Sequence, residues 1–349
     1  MNTVIVIVSY QGKEWLGKCL ASCQNYAPDV PVYVVDNAST DASAELAARF
    51  AGVTVLRQEV NLGFAGGNNV GLRAAMKDGA EAIMLLNQDA VLTSGCLELL
   101  ADYLENHNRV AAVQPAIFLP DGKVNSLGNS FHYLGFGEAG GNGLSLEEAS
   151  RRLPWLKTGS EPPYLSGAAM LVRAAALRQV GFFYDELFMY HEDLELSLRL
   201  RTVGWRLAVL PAARVIHNYQ PSRSLKQYYY MERNRFLVWN EIFSWRTRLV
   251  LLPVFLLSEI ALLIMAANNG WIWEKLRAYA YFLRPASWFS LVFQRRRWLK
   301  LRRVIDKELL SLASARIEYQ AGQIGGLTRF IWNPLSTLAW ALLKPLIRW

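Results

Sequence analysis

The first third of the chain alternates β-branched runs with helix-period segments, and this alternation limits the possible folds more than any other feature. TVIVIVS (3–9), VYVVD (32–36), VTVLR (53–57), AIMLLN (82–87) and VAAVQP (110–115) are nearly continuous apolar runs. Strands buried on both faces read this way. Between them, residues 13–25 place Trp15, Leu16, Cys19, Leu20 and Cys23 at helical spacing. Asp41 can open a helix through Phe50, with Ser39 and Thr40 in the turn before it. NNVGLRAAMKDG suits a helix ending at Gly79, and SGCLELLADYLE another. Repeated β-α-β units predict an α/β fold with a mainly parallel sheet and helices on both faces.

In such sheets a ligand sits outside the carboxyl ends of the strands. Those ends carry Ser9-Tyr10-Gln11, Asp36-Asn37, Asn61 a little past the third strand, and Asn87-Gln88-Asp89. Polar side chains, two of them acidic, therefore converge on one edge. The first strand-to-helix turn, SYQGKEWLG, lacks G-x-G-x-x-G, and nothing matches G-x-x-x-x-G-K-[ST]. Nicotinamide-dinucleotide and P-loop chemistry are both disfavoured. NLGFAGGNN opens a helix and reads equally as a structural turn or as backbone N–H groups facing a ligand. Phosphates bound without a glycine cradle can be neutralised by a divalent cation on one or two carboxylates. Asp89 is placed for that, although a turn aspartate would look the same. His217, ending WRLAVLPAARVIH, is either a second ligand or a satisfied core histidine.

Residues 120–164 are rich in Gly, Pro and polar residues without a clear period, so part of this stretch is expected to be a mobile loop. YLSGAAMLVR and a helix through Val180 follow. FMYHEDLEL (188–196) then sets His191, Glu192, Asp193 and Glu195 behind aromatic and apolar residues. Burying a charge without a partner costs several kcal/mol. The segment is therefore either a helix that has surfaced or a pocket that needs a carboxylate. Leu194, Leu196, Leu198 and Leu200 alternate like a strand, yet Leu, Glu and Arg favour helix and Gly204 can stop one. The helical reading places Glu192 and Asp193 in the first turn and leaves Glu195 solvated or structural.

Taken together, VSYQ, VVDNASTD, NLGFAGGNN, LLNQDA, SGAAMLVR, FFYDELFMYHEDLELSLRLRTVGW and ARVIHN resemble, in this order, the bacterial family 2 glycosyltransferases, especially the rhamnosyltransferase branch. The resemblance spans about residues 1–240. It implies a GT-A fold and an inverting transfer from a nucleotide-diphosphate sugar (a dTDP- or UDP-sugar, with L-rhamnose from dTDP-rhamnose the leading choice), assisted by Mg²⁺ or Mn²⁺. Carried across by position, it implies Ser9 and Tyr10 beside the base, with Asp36 on the pyrimidine ring N–H. Asn61 and Asn68 would stand in the donor pocket. Asn87 replaces the first Asp of D-x-D and would touch ribose or sugar, while Asp89 keeps the metal-binding second Asp. His217 matches a metal-ligating histidine of some relatives. Asp193 would be the general base, with His191 and Glu192 positioning the acceptor, a lipid-linked glycan in surface polysaccharide synthesis.

The net charge of +8 is uneven. Residues 220–349 hold 20 Lys and Arg against 7 Asp and Glu, and nine of the 12 tryptophans. Residues 1–219 hold 17 against 22. This predicts a catalytic domain over 1–225 and a basic, Trp-rich helical region over 226–349. Basic charge interleaved with apolar runs and Trp favours a membrane surface over nucleic acid. The longest run, 249–267, measures about 28 Å as a helix, barely a span. Pro253 interrupts it, Glu259 sits near its centre, and basic residues flank both ends (Arg246, Arg248, Lys275, Arg277). A second run, 327–347, is similarly broken. Interfacial helices fit better than a span, an ordinary helical domain or an oligomer face being the alternatives, and the expected location is the cytoplasmic face of the bacterial inner membrane. QRRRW (294–298) fits the Q-x-x-R-W signature of processive family members. It lies about 100 residues beyond Asp193, so its arginines are read as membrane-facing. The three cysteines form no metal-like cluster and read as reduced core thiols, and MNTVIVIVSYQ reads as a strand and not a signal peptide.

Overall fold

A computed structural model describes residues 1–219, 225–318 and 325–349. It divides into two units. The first comprises Met1–Asn129, Ala139–Leu200 and Trp205–Gln220, and the second Ser130–Glu138, Arg201–Gly204 and Pro221–Trp349.

In chain order the strands are β1 (Thr3–Ser9), β2 (Val32–Asp36), β3 (Val53–Arg57), β4 (Ala82–Asn87), β5 (Ala90–Leu92), β6 (Val110–Phe118), β7 (Val124–Ser126), β8 (Asn129–Phe131), β9 (Gly137–Ala139), β10 (Ala169–Arg173) and β11 (Arg206–His217). The helices among them are α1 (Leu16–Tyr26), α2 (Ser43–Ala47), α3 (Gly63–Lys77), α4 (Cys96–Asn106), α5 (Leu146–Arg152), α6 (Pro154–Thr158), α7 (Ala174–Val180) and α8 (Glu192–Thr202). The large sheet runs β3-β2-β1-β4-β10-β6-β11-β5, with β7 on β6, and β8 pairs β9 separately. Strands β1 to β4 are mutually parallel, as the β-α-β alternation requires. Beyond them β10 enters antiparallel between β4 and β6, β11 returns parallel to β6, and β5 closes the edge antiparallel. The architecture is a mixed α/β GT-A-like fold. Ile5, Ile7, Val34, Met84 and Leu86 pack against Leu16, Cys19, Leu20 and Cys23 of α1, and all three cysteines are free and buried.

Three local expectations need correction. The helix expected over 41–50 is only Ser43–Ala47. Ala42 takes a left-handed φ of 64°, and Asp41 spends its carboxylate on the N–H groups of Ser43 (3.1 Å) and Lys13 (2.9 Å). Helix α3 begins at Gly63, so the glycine-rich stretch is itself helical. A Cβ on Gly71 would lie 2.3 Å from Val6 Cγ1, so glycine is what lets α3 approach β1 so closely. Residues 120–164, expected to be loop in part, carry β7, β8, β9, α5 and α6 with turns between them, tied down by contacts such as Trp155 Nε1 donating to Leu127 O at 2.7 Å.

The second unit contains α9 (Lys226–Ile242), α10 (Trp245–Asn268), α11 (Ile272–Tyr281), α12 (Pro285–Leu299), α13 (Asp306–Ser311) and α14 (Asn333–Leu343). Among the described residues α10 alone is long and apolar enough to cross a membrane. Its Glu259 is turned inward, onto Arg235, Lys275 (2.7 Å) and the Tyr279 hydroxyl (2.6 Å), and Glu232 shares both cations. Burial pushes the two carboxyls up, but Arg235 and Lys275 hold them below their ordinary value. The QRRRW arginines divide. Arg296 and Arg297 are exposed, whereas Arg295 donates inward to the carbonyls of Asn240 (2.8 Å) and Phe243 (3.0 Å). Trp298 is buried against Glu241 at 2.9 Å. This motif builds the helical packing of its own unit.

Candidate active site

Strand register assembles the site at one sheet edge. Ser9 lies opposite Asp36 across β1 and β2, and Val8 opposite Asn87 across β1 and β4. Ser9 Oγ and Asp36 Oδ1 are both buried and lack a hydrogen-bond partner among the described residues. An unsatisfied buried polar atom costs about 1–3 kcal/mol, so two side by side mark a surface prepared for a polar ligand. Tyr10 is exposed beside them. Its backbone is clamped by Gln88, whose Oε1 accepts from Tyr10 N at 3.0 Å while Nε2 donates to Tyr10 O at 3.2 Å. Gln88, named with Asn87 and Asp89 at the end of β4, thus holds the Tyr10 backbone in place. The β1–α1 turn is also held by side chains, since Gln11 N donates to Ser39 Oγ at 3.1 Å and Lys13 N to Asp41.

Asn68 lies in α3 and Asn61 two residues before its start. Asn61 Oδ1 accepts from Gly63 N at 2.8 Å and starts the helix, while Asn68 Nδ2 donates to Phe64 O at 2.9 Å within it. Asn37, at the end of β2 beside Asp36, pins the same start by donating to Gly63 O at 2.8 Å and accepting from Leu62 N at 3.2 Å.

The short strand β5 pairs Ala90 with His217 at the end of β11, bringing Asp89 to the imidazole. His217 Nε2 lies 3.1 Å from Asp89 Oδ1 and 3.3 Å from Asn87 Nδ2. On the other side of the ring, Nδ1 lies 2.9 Å from Asn125 Oδ1. With the proton on Nδ1, donated to the Asn125 amide oxygen, Nε2 keeps a lone pair. A lone pair and a carboxylate oxygen then face each other across hydrogen-bond distance, a donor set that fits a hard divalent cation. Among the described residues no cluster of three or more His, Cys, Asp or Glu is arranged for a metal, and Asp89 and His217 are the two candidate ligands that the strand pairing brings together.

The acidic segment arrives through a strained turn. Phe188, Tyr190 and His191 have φ of 61°, 65° and 68°, left-handed values that cost non-glycine residues about 1–3 kcal/mol each. Helix α8 starts immediately afterwards at Glu192, as the helical reading of LELSLRLR expects. Because β10 runs antiparallel, its N-terminal approach lies at the edge where β4 ends, with Asn87 N donating to Ala168 O at 2.9 Å. Gly167 thereby reaches Asp193, donating its N–H to Oδ2 at 3.0 Å, and Leu194 N donates to Oδ1 at 2.7 Å. Burial raises the Asp193 carboxyl above its ordinary value, against the pull of these two donors. Glu192 is buried, its Oε2 has no partner among the described residues, and burial followed by the Asp193 charge pushes it well up. Glu195 is structural, wholly buried and paired with Arg199 at 2.6 Å, which also caps the carbonyls of Val180 and Phe182 at 2.7 Å.

The Glycosyl transferase family 2 model matches residues 4–181. The chain is 31% identical over 234 residues to the N-acetylglucosaminyl-diphospho-decaprenol L-rhamnosyltransferase of Mycobacterium tuberculosis, covering 61% of this chain and 75% of the relative. It is 25% identical over 222 residues to the dTDP-rhamnosyl transferase RfbF of Shigella flexneri, covering 59% and 70%. Among solved structures it is similar to GalNAc-T7 with UDP, GalNAc and Mn²⁺, at a TM-score of 0.55 and 17% identity. That match covers 71% of this chain and about half, 49%, of the other.

Proposed function

The chain belongs to glycosyltransferase family 2, and from that premise we propose that it moves L-rhamnose from dTDP-rhamnose to a hydroxyl of a lipid-linked glycan acceptor, with inversion at the anomeric carbon. The observation that carries this reading is the pair of unpartnered buried atoms, Ser9 Oγ and Asp36 Oδ1, at the edge where Asp193 is also held. The activities named for the Mycobacterium and Shigella relatives support the choice of sugar, nucleotide and lipid diphosphate.

Asp36 accepts from the pyrimidine ring N–H, beside Ser9 and Tyr10. Asn61 and Asn68 keep the start of α3 in place at the donor pocket, and Asn87 faces ribose or sugar. Asp193 takes the proton of the acceptor hydroxyl as that oxygen bonds to the anomeric carbon, opposite the diphosphate. The bond from carbon to diphosphate oxygen breaks, and dTDP leaves with the electron pair. Gly167 and Leu194 N–H groups hold the Asp193 carboxylate in aim, and His191 and Glu192 border the acceptor. Mg²⁺ or Mn²⁺, held on the protein side by Asp89 and His217, would supply positive charge for the diphosphate. The second unit attaches the enzyme to the cytoplasmic face of the inner membrane as a monotopic surface, which confines enzyme and lipid-linked acceptor to two dimensions.

Thermal stabilisation of purified protein by dTDP, UDP and GDP, each with Mn²⁺, Mg²⁺ or EDTA, tests the donor. A ligand at a hundredfold excess over Kd stabilises by about 2.7 kcal/mol. The expected result is a cation-dependent shift with dTDP above UDP. UDP above dTDP would discard rhamnose in favour of a UDP-hexose, the pyrimidine contact being the same. No shift with any nucleotide would leave a non-catalytic scaffold. Transfer is then assayed from dTDP-rhamnose to a synthetic N-acetylglucosaminyl-diphospho-lipid.

A further inference from the structure

Gln114 is wholly buried in the middle of β6, within an otherwise apolar run, and no step above uses it. An amide in such a place is costly unless both ends are satisfied, and here they are. Nε2 donates to Ser126 Oγ at 2.9 Å and to Ser126 O at 3.3 Å, while Oε1 accepts from Ser166 N at 2.7 Å. The two partners adjoin the two halves of the site. Ser126 follows Asn125, which orients His217 through Nδ1 at 2.9 Å. Ser166 precedes Gly167, whose N–H holds Asp193 at 3.0 Å. A continuous path of hydrogen bonds and single peptide steps therefore joins His217 to Asp193 through Asn125, Ser126, Gln114, Ser166 and Gly167.

Resting on the proposed transfer, we propose that Gln114 and Asn125 are positioning residues that fix the imidazole on the cation side relative to the base. Only a side chain with a donor at one end and an acceptor at the other can tie β7 to the Ser166 backbone. Asn125 acts one step further along, by holding the His217 ring through Nδ1 so that Nε2 stays turned to Asp89. Neither touches the reacting atoms. Their loss should change where the two halves stand, not whether each exists.

The two roles separate in experiment. Gln114→Leu removes all three bonds at similar volume. Asn125→Ala releases the ring. Mn²⁺ affinity is read by electron paramagnetic resonance of free Mn²⁺ in the presence of dTDP, and turnover with dTDP-rhamnose and the synthetic lipid diphosphate acceptor. Asn125→Ala is expected to weaken Mn²⁺ by about tenfold, the usual scale for a lost outer partner of a ligating histidine. Gln114→Leu is expected to keep Mn²⁺ affinity and donor KM within about threefold and to lower kcat by about a hundredfold, the scale of a small misplacement of reacting groups. Gln114→Glu keeps the acceptor for Ser166 N and loses the donor to Ser126, so its kcat should fall between; it decides the question if Gln114→Leu does not fold. Wild-type turnover with both Gln114 variants within threefold of it would overturn the inference alone. So would unchanged Mn²⁺ affinity in Asn125→Ala. A wild type that neither binds Mn²⁺ nor turns over would overturn the functional reading and the inference with it.

Discussion

Two adjacent carboxyls at the start of α8 differ in what they touch. Asp193 receives two backbone N–H groups, and Glu192 Oε2 receives none among the described residues. Hydrogen bonds to a charged form favour it, and burial without them favours the neutral acid. Of the two, Asp193 is the member that fits the proposed base, and on that reading transfer should rise with pH as its elevated carboxyl ionises. Asp193→Asn should lower kcat by about 10²- to 10⁴-fold while the stabilisation by dTDP and metal stays unchanged; retained turnover would remove the base assignment. Glu192 gives a stability signature of the opposite kind. Its pKa is higher folded than unfolded, so the native state holds the proton to higher pH. Stability is then intact below the unfolded value near 4.5 and is lost as pH rises through the folded value, by at most about 1.4 kcal/mol per pH unit. Glu192→Gln should match wild type in thermal unfolding at pH 4 and melt higher than wild type at pH 8. Equal melting temperatures at both pH values would mean that Glu192 carries no burial penalty.

The turn over residues 188–191 puts three non-glycine residues in the left-handed region, and it persists because α3 is built onto it. Phe188 O accepts from Ala65 N at 3.0 Å, and Gly63, at φ 72°, passes so close that a Cβ there would lie 2.4 Å from the same oxygen. Gly63→Ala should cost about 2–4 kcal/mol, from left-handed backbone and overpacking together, measured as a lowered denaturation midpoint. An unchanged midpoint would mean that the turn does not depend on α3. These dependencies also set how much could be read from sequence. VYVVD, VTVLR and AIMLLN occupy β2, β3 and β4 residue for residue, because a β-branched run between turns has few other uses. The start of α3 was hidden because glycine is a poor helix former and serves here for close approach to β1. The direction of β10 was not legible, since AMLVR pairs equally well either way; only the strands it joins decide. For the same reason the roles of Gly167, Asn125 and Gln114 were not legible. Their roles consist of partners as many as 92 positions away, as from Asn125 to His217, and no local pattern encodes such contacts.

At the scale of the whole molecule the basic, Trp-rich half explains itself through what it buries and what it leaves uncovered. Glu259 looked like a charge stranded in an apolar helix. In the structure it faces inward to Arg235, Lys275 and Tyr279, so α10 turns its polar face into its own unit and its apolar face away. Removing one member of a buried ion cluster strands the others. Glu259→Leu should therefore lower stability by about 3–5 kcal/mol even though it makes α10 more apolar, and a gain in thermal stability would contradict that account. The outward face is different in kind. Leu256 and Ile260 of α10 are more than half exposed, at 54% and 57%, as are Phe289 and Phe293 of α12, at 76% and 66%. α14 leaves Leu335, Leu338 and Leu342 open as well. Large apolar side chains left exposed on three helices of one unit, with exposed Arg296 and Arg297 on α12, suit an anionic bilayer surface. Because these side chains contribute little to their own unit's core, replacing Leu256, Ile260, Phe289 and Phe293 together with Ser should leave the melting temperature within a few degrees. It should also lower co-flotation with vesicles containing anionic phospholipid by tenfold or more, apolar burial being worth roughly 25 cal/mol per Å². High salt alone should weaken flotation only partly, since charge is the smaller share of such an attachment. Undiminished flotation of the fourfold variant would move the membrane contact elsewhere, and a collapse in melting temperature would assign these residues to packing within the protein.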